Sequence, residues 1–192
     1  MQLVLASTSP FRKALLQRLQ LDFDTVSPDV DETPLADESI DEMVMRLSQA
    51  KARAAAETCP DSLIIGSDQS AELNGQPLSK PGGFDKAFQQ LRAASGQRIV
   101  FHTGLCLYNS ATGKSQLASV PYTVVFKSLS DNQIEYYLRR EQPYNCAGSF
   151  KSEGLGITLF EKFEGEDPNA LIGLPLIKLI DMLANEGISP LS

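Results

Sequence analysis

Two cations at a helix start are the first residues whose placement could do chemistry. The run Ser7-Thr8-Ser9-Pro10-Phe11-Arg12-Lys13 reads as the opening of a helix, with Ser9 as N-cap and Pro10 at the first helical position. Arg12 and Lys13 therefore fall in the first turn, facing the positive end of the helix dipole, at a cost of a few tenths to about 1 kcal/mol each. Backbone N–H groups without partners point the same way. An anion bound there removes the conflict, and phosphate is the usual occupant. The plainer alternative is a pair of solvated surface cations.

A carboxylate is the second feature. Asp68 follows the apolar run Leu63-Ile64-Ile65-Gly66 and is expected to stand at the end of a buried strand. Polar residues at the carboxyl ends of strands in α/β sheets line crevices, and a carboxylate there can orient a water as base or hold a divalent cation. The plainer reading is a turn cap. Glu32, in the acidic loop Asp29-Val30-Asp31-Glu32, is a weaker candidate of the same kind. Lys51 on a helix and Lys80 in Ser79-Lys80-Pro81 are unremarkable singly.

Other chemistries are poorly served. Three cysteines, Cys59, Cys106 and Cys146, lie far apart without CxxC spacing, which argues against a disulfide framework or a zinc site and for buried free thiols. The single histidine, His102, lies in the strand-like run Ile99-Val100-Phe101-His102-Thr103 and is expected to be structural or solvent-facing. Thr112-Gly113-Lys114-Ser115 resembles the end of a P-loop, but Tyr108 stands where the first glycine belongs and the segment joins two strands. Gly154-Leu155-Gly156 starts a dinucleotide pattern that Leu159 breaks. With a net charge of −7, the chain is a poor general binder of nucleic-acid backbone, though a few cations gathered in one cleft could still hold a small phosphate.

The elements that must position these residues follow from periodicity. The 192 residues, 42% of them hydrophobic, suffice for one domain with a real core. No apolar run approaches the roughly 20 residues needed to span a bilayer, and the opening residues lack a basic leader, so no membrane association and a cytoplasmic location are expected. Leu3–Ala6, residues 22–27 and Leu63–Gly66 read as strands, as do 97–108, 116–126 and 157–163. Helices are expected from Pro10 through Leu19, from Ser39 to near Cys59, over 84–94, from Ser130 to Arg139 and over 168–185. Asn74-Gly75 signals a tight turn. Strands and helices alternate early and a hairpin comes late, which predicts a mixed α/β protein with a mixed sheet.

Taken together, these segments resemble the Maf family, the septum-formation-inhibitor-like nucleotide pyrophosphatases. Leu5-Ala6-Ser7-Thr8-Ser9-Pro10-Phe11-Arg12-Lys13 is similar to the family's Ser-x-Ser-Pro-x-Arg-Arg phosphate loop. Asp31-Glu32 matches its acidic loop, Ala50-Lys51-Ala52 its helix lysine, Gly66-Ser67-Asp68-Gln69 its strand aspartate and Lys80-Pro81 its Lys-Pro element. The stretch from Cys146 through Gly154 matches the late Ala-Gly loop, and Gly173-Leu174-Pro175-Leu176 the closing signature. Six or seven matches in order over nearly the whole chain are specific where each alone is weak.

The resemblance implies an elongated α/β fold with a mixed sheet flanked by helices, a single domain over residues 1–192 with two lobes around a deep cleft, commonly a homodimer. It implies Asp68 as catalytic base, Ser7, Arg12, Lys13, Lys51 and Lys80 as phosphate holders, and Glu32 with Asp68 as ligands of a divalent cation, Mg²⁺ or Mn²⁺. Lys13 departs from the family's second Arg, exchanging a bidentate contact for a point charge. Ser67-Asp68-Gln69 and Ser152-Glu153-Gly154 are similar to the branch acting on 7-methyl-GTP, which makes Gln69 and Glu153 expected determinants of base specificity; Phe11, beside the phosphate loop, is a further candidate because an aromatic face suits a cationic methylated guanine, its plainer reading being helix packing against the core. The implied reaction is house-cleaning hydrolysis of a nucleoside triphosphate to its monophosphate and pyrophosphate. Two rival readings stay open: a pyrophosphatase of dTTP/UTP type, and a non-catalytic nucleotide-sensing division regulator.

Overall fold

The first strand is apolar on both faces, and the fold begins from that fact. In the computed structural model, which describes residues 1–191, β1 (Gln2–Ala6) pairs in parallel with β2 (Asp24–Val26) on one side and β3 (Ser62–Leu73) on the other. The β1–β3 register sets Leu3 against Leu63, Leu5 against Ile65 and Ala6 against Gly66. A strand buried on both sides needs helices on both faces. Leu3, Leu5, Leu63 and Ile65 pack with Leu15, Leu16, Leu179, Met182 and Leu183 on one face. Val4, Ala6, Ile64 and Cys106 pack with Ala52 and Ala55 on the other.

The sheet has seven strands in the order β2-β1-β3-β5-β6-β7, with β5 at Arg98–Asn109, β6 at Lys114–Phe126 and β7 at Phe160–Gly165. β4 (Gln76–Leu78) pairs antiparallel with the end of β3, and β7 pairs antiparallel with β6, so the sheet is mixed and open, as the sequence predicts. Asn74 and Gly75, which join β3 to β4, both have positive φ (52° and 78°), as a two-residue hairpin turn of type I′ requires.

The chain forms two compact units. The first comprises Met1–Gln69, His102–Pro121 and Glu166–Ser192, the second Ser70–Phe101 and Tyr122–Gly165. The first holds α1 (Pro10–Gln17), α2 (Ile40–Ala56), α5 (Pro168–Ile172) and α6 (Leu176–Asn185). The second holds α3 (Phe84–Ala94) and α4 (Asp131–Glu141) and centres on edge-to-face contacts among Phe101, Phe126, Phe150 and Phe160. Capping boxes start α2 at Ser39/Glu42 and α4 at Ser130/Gln133.

Several expectations need correction. β3 runs to Leu73, so Asp68 lies inside a strand; it stands just past the β1-paired part, which ends at Gly66. β7 starts at Phe160 because a 3₁₀ turn occupies Leu155–Leu159. The expected helix over 168–185 is two helices, since Gly173 adopts a left-handed φ of 115° and Pro175 follows at the N-cap of α6. Of the cysteines only Cys106 is fully buried, and burial pushes its thiol up to about 12. No helix among the described residues is long and apolar enough to cross a membrane.

Candidate active site

Two glycines let α2 lie against the sheet. A Cβ on Gly66 would stand 2.0 Å from the Ser48 carbonyl oxygen, and one on Gly104 would stand 2.2 Å from that of Val44. The close approach brings Ser48 to the backbone of β3: its Oγ donates to Val44 O (2.6 Å) and accepts from Asp68 N–H (2.9 Å). One turn on, the buried Lys51 reaches over Asp68. Its Nζ lies 2.5 Å from Asp68 Oδ1 and 2.6 Å from Glu32 Oε1, so one ammonium bridges both carboxylates. Glu32 is exposed, whereas the Asp68 side chain is 13% exposed. Among the described residues no donor engages Asp68 Oδ2, which leaves that oxygen to accept from a water.

The helix-start segment behaves as its sequence predicts. Ser9 caps α1 by accepting from Arg12 N–H, and the buried Ser7, directly after β1, accepts from Ser9 N–H at 3.1 Å. Arg12 donates from Nε to the Gly173 carbonyl at 2.8 Å, and its Nη groups meet no protein acceptor among the described residues. Burial pulls its guanidinium below the usual value, while the charges of Asp68 and Glu32 act against that fall. A half-buried cation with both Nη groups open, drawn toward carboxylates it does not touch, is suited to an oxyanion. Lys13 projects from the same turn as an exposed side chain. Phe11 is 41% exposed, which removes core packing as the explanation for it.

Gln69 is committed elsewhere. Its amide nitrogen donates to Thr103 Oγ1 (3.0 Å), Ala170 O (2.7 Å) and Leu171 O (3.1 Å), so its donors hold α5. In the second unit, Lys80 is exposed in a loop pinned on either side: Gln90 donates to Ser79 O (2.9 Å), and Gly82 N–H donates to Tyr144 O (2.9 Å). Glu153 is exposed in a turn held by α4, where Tyr137 Oη accepts from Lys151 N–H (3.1 Å) and Glu141 Oε2 accepts from Leu155 N–H (2.8 Å). Burial raises the Tyr137 phenol, against the Lys151 hydrogen bond, and so keeps it protonated.

Among the described residues no three His, Cys, Asp or Glu side chains form a metal cage. Asp68 and Glu32 nevertheless converge on a single cation, and that donor set fits a hard divalent ion that takes its remaining ligands from water and substrate phosphate. Such an ion, when bound, neutralises phosphate charge. His102 is structural: its Nδ1 lies 2.9 Å from Asp41 Oδ1, which also accepts from Ser119 at 2.5 Å. Ser48 was not singled out in the sequence, although it shares a helix face with Lys51 at three-residue spacing, and Ser67 and Gly173 stood in matched motifs without a role of their own.

Known proteins match the chain over most of its length. The family profile described as "Maf-like protein" matches residues 2–186. A protein of Methylobacillus flagellatus named 7-methyl-GTP pyrophosphatase is 56% identical over 186 residues, covering 97% of each chain. One of the same name from Alcanivorax borkumensis is 58% identical, covering 97% of this chain and 94% of its own. Among solved structures, the Staphylococcus aureus Ham1 protein superposes with a TM-score of 0.52 at 15% identity, covering 97% of this chain and all of that one, which speaks to the fold alone. The ordered motifs and the full-length matches agree: the chain belongs to the Maf family.

Proposed function

We propose that this protein hydrolyses a nucleoside triphosphate, 7-methyl-GTP first among them, to the nucleoside monophosphate and pyrophosphate. The observation that carries the reading is the Lys51 ammonium seated between Asp68 and Glu32, beside an Arg12 whose Nη groups are open. The high identity to relatives named for this reaction supports it. Asp68 Oδ2 accepts the proton of a water whose oxygen adds to the α-phosphorus. The bridging bond breaks, and the electron pair leaves with the pyrophosphate. Arg12, Lys51 and Lys80, helped by Ser7 and Lys13, stabilise the charge that develops on the phosphates. Glu32 and Asp68 hold a divalent cation, Mg²⁺ or Mn²⁺. A homodimer in the cytoplasm is the expected setting.

Base preference falls to exposed groups. A 7-methylated guanine is cationic, so a carboxylate and an aromatic face favour it over guanine. Glu153 accepts from the guanine N1–H and amino group, more strongly than a neutral amide. Phe11 stacks on the cationic ring for about 0.5–2 kcal/mol. Gln69 contributes to specificity through its hold on α5. The test is kcat/KM for 7-methyl-GTP, GTP, UTP and dTTP with Mg²⁺. The wild type should favour 7-methyl-GTP, and Glu153→Gln should lose most of its preference over GTP. A wild type that ignores methylation would refute the base assignment; nucleotide binding without pyrophosphate release would refute the enzyme.

A further inference from the structure

Neighbouring residues of β3 face opposite ways, and they do different work. Ile64, Gly66 and Asp68 look toward α2, whereas Leu63, Ile65, Ser67 and Gln69 look toward α1, α5 and α6. On that second face, the fully buried Ser67 hydroxyl shares its proton between Gly104 O (2.8 Å) and Gly173 O (2.9 Å). Gly173 O is also the acceptor of Arg12 Nε at 2.8 Å. Two residues later on β3, Gln69 donates to the Ala170 and Leu171 carbonyls, and Thr103 Oγ1 donates to Ala170 O at 2.9 Å. Carbonyls at a helix C-terminus lack intrahelical partners, and here strand side chains supply them for a helix of only five residues.

Gly173 ends that helix with φ 115°, and its N–H returns to Asn169 O and Ala170 O. A Cβ there would lie 3.3 Å from Arg12 Nε and 3.6 Å from Nη2. The Gly173 carbonyl takes the Nε edge of the guanidinium and leaves the Nη edge open. Arg12 alone would have several rotatable bonds with which to miss a phosphate.

We infer that Ser67, Gln69 and Gly173 form a seat for Arg12: they are positioning residues that fix the guanidinium with its Nη edge toward the phosphate. The inference rests on the reading of Arg12 as a phosphate holder. It gives the Ser-Asp-Gln sequence a division of labour, with Asp68 serving the water on one face and its two neighbours holding the cation on the other.

A double-mutant cycle tests this with the full-length enzyme, Mg²⁺ and 7-methyl-GTP. Arg12→Ala, Ser67→Ala and the double variant are compared for kcat, KM, inhibition by pyrophosphate and melting temperature. Arg12→Ala should lower kcat/KM at least tenfold. Ser67→Ala should lower kcat/KM several-fold and weaken pyrophosphate inhibition, yet cause no further loss when Arg12 is already Ala. Melting temperature in both backgrounds checks that each variant is folded. An equal Ser67→Ala factor with and without Arg12, or no factor at all, would overturn the seat while leaving Arg12 as a phosphate holder. An unchanged kcat/KM in Arg12→Ala would overturn the phosphate reading and the seat with it. Should Ser67→Ala fail to fold, Gln69→Met, which keeps the length and removes the donors to α5 without adding a charge, enters the same cycle with the same two outcomes.

Discussion

Lys51 and Asp68 are joined by a 2.5 Å ion pair from α2 to β3, and the same lysine reaches Glu32 at 2.6 Å. One ammonium thus holds together a residue on a strand and a residue on a loop. Removing it leaves two carboxylates facing each other, one of them largely buried. Breaking a buried pair by deleting one partner typically costs about 3–5 kcal/mol. Because Glu32 is exposed, the loss in Lys51→Met should fall at or below the lower end, about 2–3 kcal/mol in urea denaturation. Its kcat/KM should drop with it, and a variant as stable and active as the wild type would contradict the bridging role.

The approach of α2 to the sheet should be intolerant of a single methyl group. A Cβ at position 66 would sit 2.0 Å from backbone, which cannot rotate away. Gly66→Ala should therefore cost at least the roughly 1–3 kcal/mol of an overpacked core, and it should slow turnover by lifting Ser48 and Lys51 from Asp68. Urea denaturation and steady-state kinetics read both, and a stable Gly66→Ala with normal kcat would show that α2 has slack.

Lys13 and Arg12 share a helix turn but not an environment. Arg12 is seated on Gly173, and Lys13 is exposed. Lys13→Ala should lose less kcat/KM than Arg12→Ala, and its deficit should shrink between 0.05 and 0.5 M salt, on the order of the concentrations at which exposed charges become screened. A Lys13 deficit as large as that of Arg12 and indifferent to salt would place it in direct phosphate contact.

Acid stability should depend on Asp41. Burial raises its carboxyl, but the hydrogen bonds from Ser119 and His102 outweigh that and hold it below the usual carboxylate value. A lowered folded value stabilises the fold above the unfolded value, and the contribution is lost as pH falls through the folded one. The stability gap between wild type and Asp41→Asn should therefore be full above the ordinary carboxylate range and close as the pH drops below it. A gap independent of pH would contradict this.

Local signals were legible in the sequence and long-range ones were not. Ser9-Pro10 announced α1, Ser39 the start of α2 and Ser130 the start of α4, because a helix start is written within a few residues. The extension of β3 past Asp68 was written only faintly, since the alternation of Ala71 and Leu73 with Ser70 and Glu72 spans four residues and offers two apolar side chains. Gly173 and Pro175 did carry the break between α5 and α6, but the apolar spacing around them masked it. Asp68, Lys51 and Glu32 could be named from motif resemblance, yet their meeting depends on Gly66 and Gly104 admitting α2, a packing fact with no local signature.

Asp68 acting on water to cleave the α–β anhydride is the step on which the proposed function turns. The most direct measurement follows pyrophosphate release and product identity from 7-methyl-GTP with wild type and Asp68→Asn, each checked for folding by circular dichroism. The change keeps shape and removes a basic oxygen, and loss of a general base costs about 10²–10⁴ in rate. The account predicts equimolar 7-methyl-GMP and pyrophosphate from the wild type, and a fall of that size in a folded Asp68→Asn. Release of orthophosphate in place of pyrophosphate, or near-wild-type turnover by the folded variant, would contradict it.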